Sequence, residues 1–213
     1  MPEPIGRVAL DAMGVIFAQR GVPAALASFA AEHGARVDEA TAREVYYRAS
    51  LGRCSSSELW EALGIPGPDR DAEFLAGRLP RSGFETFLGA LGDEKIPVGC
   101  ITNDLAEWSA RSRRSYGLDR LTPWVVSGEI GIRKPEPAIF QRFLDEAHAE
   151  AASCLFVDDK ARNLDGARTL GFQTAWFCDD AGPARSARGE HPRVGSFDDV
   201  LELILQQRAT TVA

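Results

Sequence analysis

The stretch CLFVDDKARNLDGARTLGF, residues 154–172, combines a buried strand, an acidic pair and a helix. Its first four residues form a continuous apolar run, which is typical of a strand covered on both faces of a parallel sheet. Asp158 and Asp159 follow directly. Apolar residues then recur at helical spacing and end at a glycine suited to a helix C-terminus, namely Leu164, Ala167, Leu170 and Gly171. The stretch therefore predicts a βα unit with two carboxylates at its turn.

Four further apolar runs have the same continuous character and are predicted to be strands: Val8–Leu10, Val98–Thr102, Trp124–Val126 and Thr174–Phe177. Helical patterns lie between them, the clearest formed by Ile139, Phe140, Phe143 and Leu144. Strands that alternate with helices are typical of α/β domains. We therefore predict a doubly wound parallel sheet.

The first two strands are separated by almost 90 residues, and every readable pattern between them is helical. One helix in this segment begins at a capping box, in which Ser55 and Glu58 have the required spacing. We predict a helical cap over residues 17–80, inserted after the first strand. The α/β core then comprises residues 1–16 and 81–213.

Composition restricts the classes of partner and location. The 213 residues carry a formal net charge of −7, which disfavours nucleic acid as the main partner. No apolar stretch reaches the roughly 18 residues that a membrane-spanning helix needs, so no membrane partner is expected. The first residues lack a signal-peptide pattern, and a cytoplasmic location is expected. The sequence leaves the oligomeric state open.

The cysteines do not indicate a disulfide-stabilised or a zinc-binding protein. The four cysteines are widely spaced and form no CxxC pair: Cys54, Cys100, Cys154 and Cys178. We expect free thiols rather than structural disulfides or a zinc site.

Polar residues follow the predicted strands at the points where they end. These residues are Asp11, Thr102, Asn103, Asp104, Ser127, Asp158 and Asp159. In an open α/β sheet the carboxyl ends of the strands meet in one crevice, where ligands bind. Lys134, one of only three lysines, opens the helix after the third strand. Carboxylates gathered with one cation favour Mg²⁺ binding, and such a site suits phosphoryl transfer.

The order LDAMGV … ITND … GIRKPEPAIF … LFVDDKARNLDGARTLGF resembles the haloacid dehalogenase superfamily, whose members are mostly Mg²⁺-dependent phosphatases. The resemblance covers the whole chain and implies a Rossmann-like core with a helical cap. It implies that Asp11 is the nucleophile and forms an aspartyl-phosphate on a small phosphorylated substrate.

The resemblance also implies roles for the other residues at the strand ends. Thr102 and the backbone of Asn103 would bind the phosphoryl oxygens. Lys134 would bridge Asp11 and the phosphate. The metal ligands would be Asp11, Asp158, Asp159 and the Met13 carbonyl, with Asp159 the more direct of the acidic pair.

Met13 departs from the phosphatase pattern, which has a second aspartate there to protonate the leaving oxygen and then activate water. Loss of a general acid/base costs typically 10²- to 10⁴-fold in rate. We therefore favour a phosphatase or phosphotransferase with an impaired acid/base step.

Two other hypotheses stay open, and a third fails. Metal-independent 2-haloacid dehalogenases also lack the second aspartate, although they replace the acidic pair. A catalytically inactive binding or regulatory protein would equally tolerate Met13. A phosphonoacetaldehyde-type hydrolase needs a cap lysine, and residues 12–90 contain none.

Overall fold

The structure, a computed structural model, describes residues 3–178 and 191–212. Its centre is a six-stranded, all-parallel sheet in the order β3-β2-β1-β4-β5-β6. The strands are β1 (Arg7–Leu10), β2 (Val98–Thr102), β3 (Trp124–Val126), β4 (Cys154–Asp158), β5 (Gln173–Phe177) and β6 (Arg193–Val194). This order is that of a doubly wound sheet, as the sequence predicts.

The five predicted strands are confirmed to within one residue at each end. The sixth, β6, was not predicted, because two residues within a stretch rich in Pro, Gly and Arg give no periodic signal. The composition of residues 179–196 is typical of a loop, and the structure differs from that prediction at Arg193 and Val194, which form β6. Residues 179–190 lie outside the described part of the chain.

Helices cover both faces of the sheet. They are α1 (Val22–Glu32), α2 (Glu39–Ala49), α3 (Ser56–Ala62), α4 (Arg70–Leu75), α5 (Phe84–Asp93), α6 (Ala106–Ser115), α7 (Ser127–Ile130), α8 (Pro137–Ala147), α9 (Ala161–Arg168) and α10 (Phe197–Val212). Strand residues alternate between the two cores. Val8 and Leu10 pack on the side of α5 and α10, whereas Ala9 packs on the side of α8 and α9.

Helices α1 to α4 all lie between β1 and α5, as expected of an insertion after the first strand. The capping box at the start of α3 is confirmed: the Ser55 hydroxyl accepts from the Glu58 N–H, and the Glu58 carboxylate accepts from the Ser55 N–H. Apolar residues of these helices belong to the same continuous core as one face of the sheet. The division into a cap of residues 17–80 and a core stays a prediction.

All four cysteines are free thiols. Within the described residues, no helix combines the length and apolar character needed to cross a membrane.

Candidate active site

The site lies at the carboxyl ends of β1, β2 and β4. β1 pairs with β2 on one side and β4 on the other, so the chain reverses its direction of winding here. Crevices at such a switch point are the usual ligand sites of doubly wound sheets. The end of each strand contributes one polar side chain, respectively Asp11, Thr102 and Asp158, and all three are buried.

Lys134 reaches this point from the loop before α8 and is only 3% exposed. Its ammonium group donates to Asp11 Oδ1 at 2.7 Å, Asp158 Oδ2 at 2.8 Å and the Ile101 carbonyl at 2.6 Å. Burial lowers the pKa of Lys134, but Asp11 and Asp158 together raise it by more, so the net shift of the pKa is upward. All three ammonium protons are engaged, and Lys134 bridges two carboxylates in this structure.

Asp11 is held by hydrogen bonds that use one of its two oxygens. Oδ1 accepts from Lys134 and, at 2.8 Å, from the Ala12 N–H. No hydrogen bond among the described residues ends on Oδ2, and Asp11 lines a cavity. Burial raises the pKa of the Asp11 carboxyl to about 7, against the opposing effect of Lys134. Oδ2 is therefore the Asp11 oxygen that stays available to a ligand.

The two adjacent aspartates are in different situations. The Asp158 oxygens accept from the Lys134 ammonium, from the Lys160 N–H at 2.8 Å and from the Asn163 amide at 3.0 Å to both oxygens. Asn163 was not predicted from the sequence. Its signal was its position on the first turn of α9, five residues after Asp158, which directs it back towards the strand end.

Asp159 is instead open to a further ligand. Its Oδ1 is buried and has no hydrogen-bond partner among the described residues, although the Lys160 ammonium lies 3.4 Å away as an ion pair. Arg20 Nε lies 3.7 Å from Oδ2. Burial raises the pKa of Asp159. A buried carboxylate oxygen without a hydrogen bond is costly, so Asp159 is suited to bind a cation.

Gly14 allows Asp159 to approach the loop that follows Asp11. A Cβ added to Gly14 would lie 2.5 Å from Asp159 Oδ2, and the φ angle of Gly14 is +101°. Oxygens of Asp11, Asp158 and Asp159 consequently lie within 4.8 Å of one another. This all-oxygen donor set fits a small hard cation such as Mg²⁺.

The three consecutive polar residues at the end of β2, Thr102, Asn103 and Asp104, differ in the hydrogen bonding of their side chains. The Thr102 hydroxyl is buried and has no hydrogen-bond partner in the described part of the chain, so it can receive a substrate oxygen. The Asn103 side chain is engaged by the Lys134 backbone: its Nδ2 donates to the Lys134 carbonyl at 3.0 Å, and its Oδ1 accepts from the Lys134 N–H at 2.9 Å. Asp104 points elsewhere and forms a buried ion pair with Arg78.

A cavity of about 440 Å³ opens above Asp11. Met13 lines it and is buried, where a carboxylate would stand in the phosphatase pattern. The remaining walls come from the predicted cap, the loop after β2, the loop around Lys134 and the start of α9, and include Glu39, Arg43, Tyr46, Tyr47, Asn103, Arg133, Glu136, Lys160, Arg162 and Asn163. The cap-side lining was not predicted from the sequence. Tyr46 fits the buried stripe of α2, and its hydroxyl also donates to the Asn103 carbonyl at 2.6 Å.

The haloacid dehalogenase-like hydrolase family matches residues 7–171 of the chain. Among curated proteins, a phosphatase of Mycobacterium tuberculosis, MT3486, is 36% identical over 92 residues, which are 42% of this chain and 42% of that protein. The chain aligns with only part of the curated relatives it matches, between 41 and 60% of their length.

Solved structures share the fold at low sequence identity. A family enzyme of Bacteroides thetaiotaomicron, bt-2542, solved as a variant with magnesium and inorganic phosphate, is 18% identical with a TM-score of 0.68, over 84% of this chain and 96% of that one. The L-2-haloacid dehalogenase of Xanthobacter autotrophicus is 19% identical with a TM-score of 0.65, over 94% of this chain and 98% of that one. Both a phosphate-binding protein and a dehalogenase therefore share this fold.

Proposed function

The chain belongs to the haloacid dehalogenase-like hydrolase family, and on that premise we propose that it is a Mg²⁺-dependent phosphatase or phosphotransferase. Its substrate would be a small phosphorylated metabolite, and Asp11 would carry the phosphoryl group. The observation that best supports this function is the buried Asp159 Oδ1, which has no hydrogen-bond partner among the described residues. The Lys160 ammonium lies 3.4 Å from this oxygen as an ion pair, so the oxygen keeps its capacity to accept a metal ion. A metal-dependent enzyme would use that capacity, and a metal-independent dehalogenase would not.

The proposed Mg²⁺ ligands are Asp11, Asp159 and, by family resemblance, the Met13 carbonyl. When bound, the ion would offset the negative charge of the transferring phosphoryl group. Asp158 would orient Lys134, because its oxygens already accept the hydrogen bonds described above.

In the first step, Asp11 Oδ2 attacks phosphorus and the bond between phosphorus and the leaving oxygen breaks. Lys134 keeps Asp11 oriented and lowers its pKa against the effect of burial, which favours the ionised nucleophile. The Thr102 hydroxyl and the Asn103 backbone receive phosphoryl oxygens. The leaving oxygen takes its proton from water, since Met13 has none to give. Acyl and aryl phosphates should therefore react best, because their leaving groups, a carboxylate or an aryl oxide, are weak bases.

In the second step, water attacks phosphorus, and the bond to Asp11 breaks to release inorganic phosphate. A base would normally accept the proton of the attacking water. Met13 has no such group, so the proton passes to solvent or to a phosphate oxygen, and this step limits turnover. Alternatively, an acceptor hydroxyl replaces water and the protein acts as a phosphotransferase.

A second candidate function is 2-haloacid dehalogenation, favoured by the apolar Met13 beside Asp11. There Asp11 would displace halide from carbon and form an ester, which water then hydrolyses. An inactive binding protein is the remaining alternative.

One panel of assays separates these functions. Wild type and Asp11→Asn are given acetyl phosphate, p-nitrophenyl phosphate or 2-chloropropionate, each with Mg²⁺ and with EDTA. We expect phosphate release that needs both Mg²⁺ and Asp11. Chloride release insensitive to EDTA would establish the dehalogenase instead. Absence of any release, with Mg²⁺ leaving the melting temperature unchanged, would favour the inactive protein.

A further inference from the structure

Arg133 lines the same cavity as Asp11 and immediately precedes Lys134. Its guanidinium carbon lies 4.8 Å from the ring centroid of Tyr47 and 5.7 Å from that of Tyr46, both on α2. Tyr46 is itself fixed by its hydrogen bond to the Asn103 carbonyl. These contacts with two rings position the guanidinium before any ligand arrives.

The Arg133 guanidinium has unused hydrogen-bonding capacity. Its Nη1 is buried and has no hydrogen-bond partner within the described residues. Burial also lowers the pKa of Arg133, which reflects the cost of keeping the cation partly out of water. An incoming oxyanion would remove both costs, because guanidinium groups bind carboxylates and phosphates through paired N–H donors.

The charges around Arg133 favour an anion. Arg162 lines the same cavity, as does Lys160, which also pairs with Asp159. Of the acidic lining residues besides Asp11, Glu39 forms an ion pair with Arg43 and Glu136 is exposed. Lys134 offers no substitute, since its three protons are already donated.

We infer that Arg133 binds a second oxyanion of the substrate, distinct from the phosphoryl group that Asp11 attacks. The substrate class is then a phosphorylated acid or a bisphosphate rather than a neutral phosphate ester. This inference rests on the proposed function, because it takes the phosphoryl group to lie at Asp11 and Thr102.

The test compares two non-hydrolysable probes of similar size with Mg²⁺ present, phosphonoacetate and ethylphosphonate. Their dissociation constants are measured by calorimetry, and their inhibition constants against p-nitrophenyl phosphate are measured in parallel. Wild type should bind phosphonoacetate roughly 10- to 100-fold more tightly, as expected for hydrogen bonds between charged groups. In Arg133→Gln this preference should fall below about 3-fold. Arg133→Lys, which keeps the charge without the paired donors, should be intermediate.

Arg142→Gln, a change in an exposed ion pair on α8, is the matched control and should keep the wild-type preference. Equal affinities in wild type, or a preference that survives in Arg133→Gln, would overturn the inference while leaving the proposed function intact. Failure of wild type to bind either phosphonate would count against the proposed function itself. If Arg133→Gln does not fold, the wild-type ratio and Arg133→Lys decide the question.

Discussion

At the scale of single residues, Met13 controls how the proposed reaction ends. Attack on a reactive phosphate would need Asp11 as the nucleophile, carboxylates that could hold a cation, and Lys134, and the structure brings these groups together. Breakdown of the aspartyl-phosphate needs a base, and Met13 supplies none. The reaction should therefore show a burst followed by slow turnover.

Met13→Asp should increase the steady-state rate with p-nitrophenyl phosphate by 10-fold or more, on the order of a general-base contribution. The added carboxylate should also tighten Mg²⁺ binding. Met13→Leu is the matched control, because it keeps an apolar side chain of similar volume, and its rate should stay at the wild-type level. Equal steady-state rates in the two variants would show that Met13 does not limit a phosphatase.

Asp11 should lower the stability of the metal-free protein at neutral and higher pH. Its folded-state pKa is about 7, above the ordinary value of 3.8, so the folded chain binds this proton more tightly than the unfolded chain. Stability from this group is therefore full below about pH 4 and is lost as pH rises towards 7.

Asp11→Asn removes this penalty and should stabilise the protein in EDTA at pH 8 by about 1–3 kcal/mol, with a much smaller gain at pH 5. Urea unfolding at both pH values measures the difference. Asp158→Asn is the contrasting variant: it disturbs bonds from Lys134, Lys160 and Asn163 and should lose stability at both. A pH-independent effect of Asp11→Asn would contradict the pKa assignment.

At the scale of elements, a buried ion pair joins the end of the predicted cap to the loop after β2. Arg78 is 1% exposed and Asp104 2%, and Arg78 Nη1 lies 2.6 Å from Asp104 Oδ2. Arg78 also lies over the Trp108 ring of α6, at 5.3 Å from its centroid. Asp104 directly follows Asn103, so this pair supports the loop that would receive the phosphate.

Arg78→Met should reduce the free energy of unfolding by about 3–5 kcal/mol, because it leaves Asp104 buried without its cation. Arg142→Met, which breaks the exposed pair with Glu146 on α8, should change it by less than about 1 kcal/mol. Urea denaturation of both variants provides the comparison. Comparable losses of unfolding free energy in the two variants would mean that the Arg78 pair stabilises the protein no more than an exposed ion pair does.

Elements with a local signal could be predicted from the sequence, whereas contacts between residues far apart in the chain could not. The strand at Cys154 is visible as an apolar run, and the capping box at Ser55 needs only its neighbours. The contacts of Arg78 with Asp104 and of Tyr46 with Asn103 join residues 26 and 57 positions apart. The periodicity of apolar residues does not reveal which distant residues contact each other, so the cap-side wall of the cavity was not predicted.

At the scale of the whole molecule, the fold concentrates charge where the strand ends meet. Asp11, Asp158 and Lys134 are all buried there, although charged groups usually remain exposed. The convergence was predicted from the polar residues that follow the predicted strands, because the carboxyl ends of parallel strands meet at one edge of the sheet. Which of the two adjacent aspartates stays open to a cation was not derivable from the residues alone, because it depends on the hydrogen bonds that Asn163 and Lys134 make to Asp158.

The proposed function depends on phosphorylation of Asp11, which rapid-quench mass spectrometry detects. Wild type is mixed with acetyl phosphate and Mg²⁺ and quenched in acid, and the intact chain and its peptides are weighed. We predict one added phosphoryl group on the peptide that contains Asp11, accumulating because Met13 cannot assist hydrolysis, and none in Asp11→Asn. A wild-type chain that stays unmodified while it releases phosphate, or an adduct that persists in Asp11→Asn, would be inconsistent with phosphorylation of Asp11.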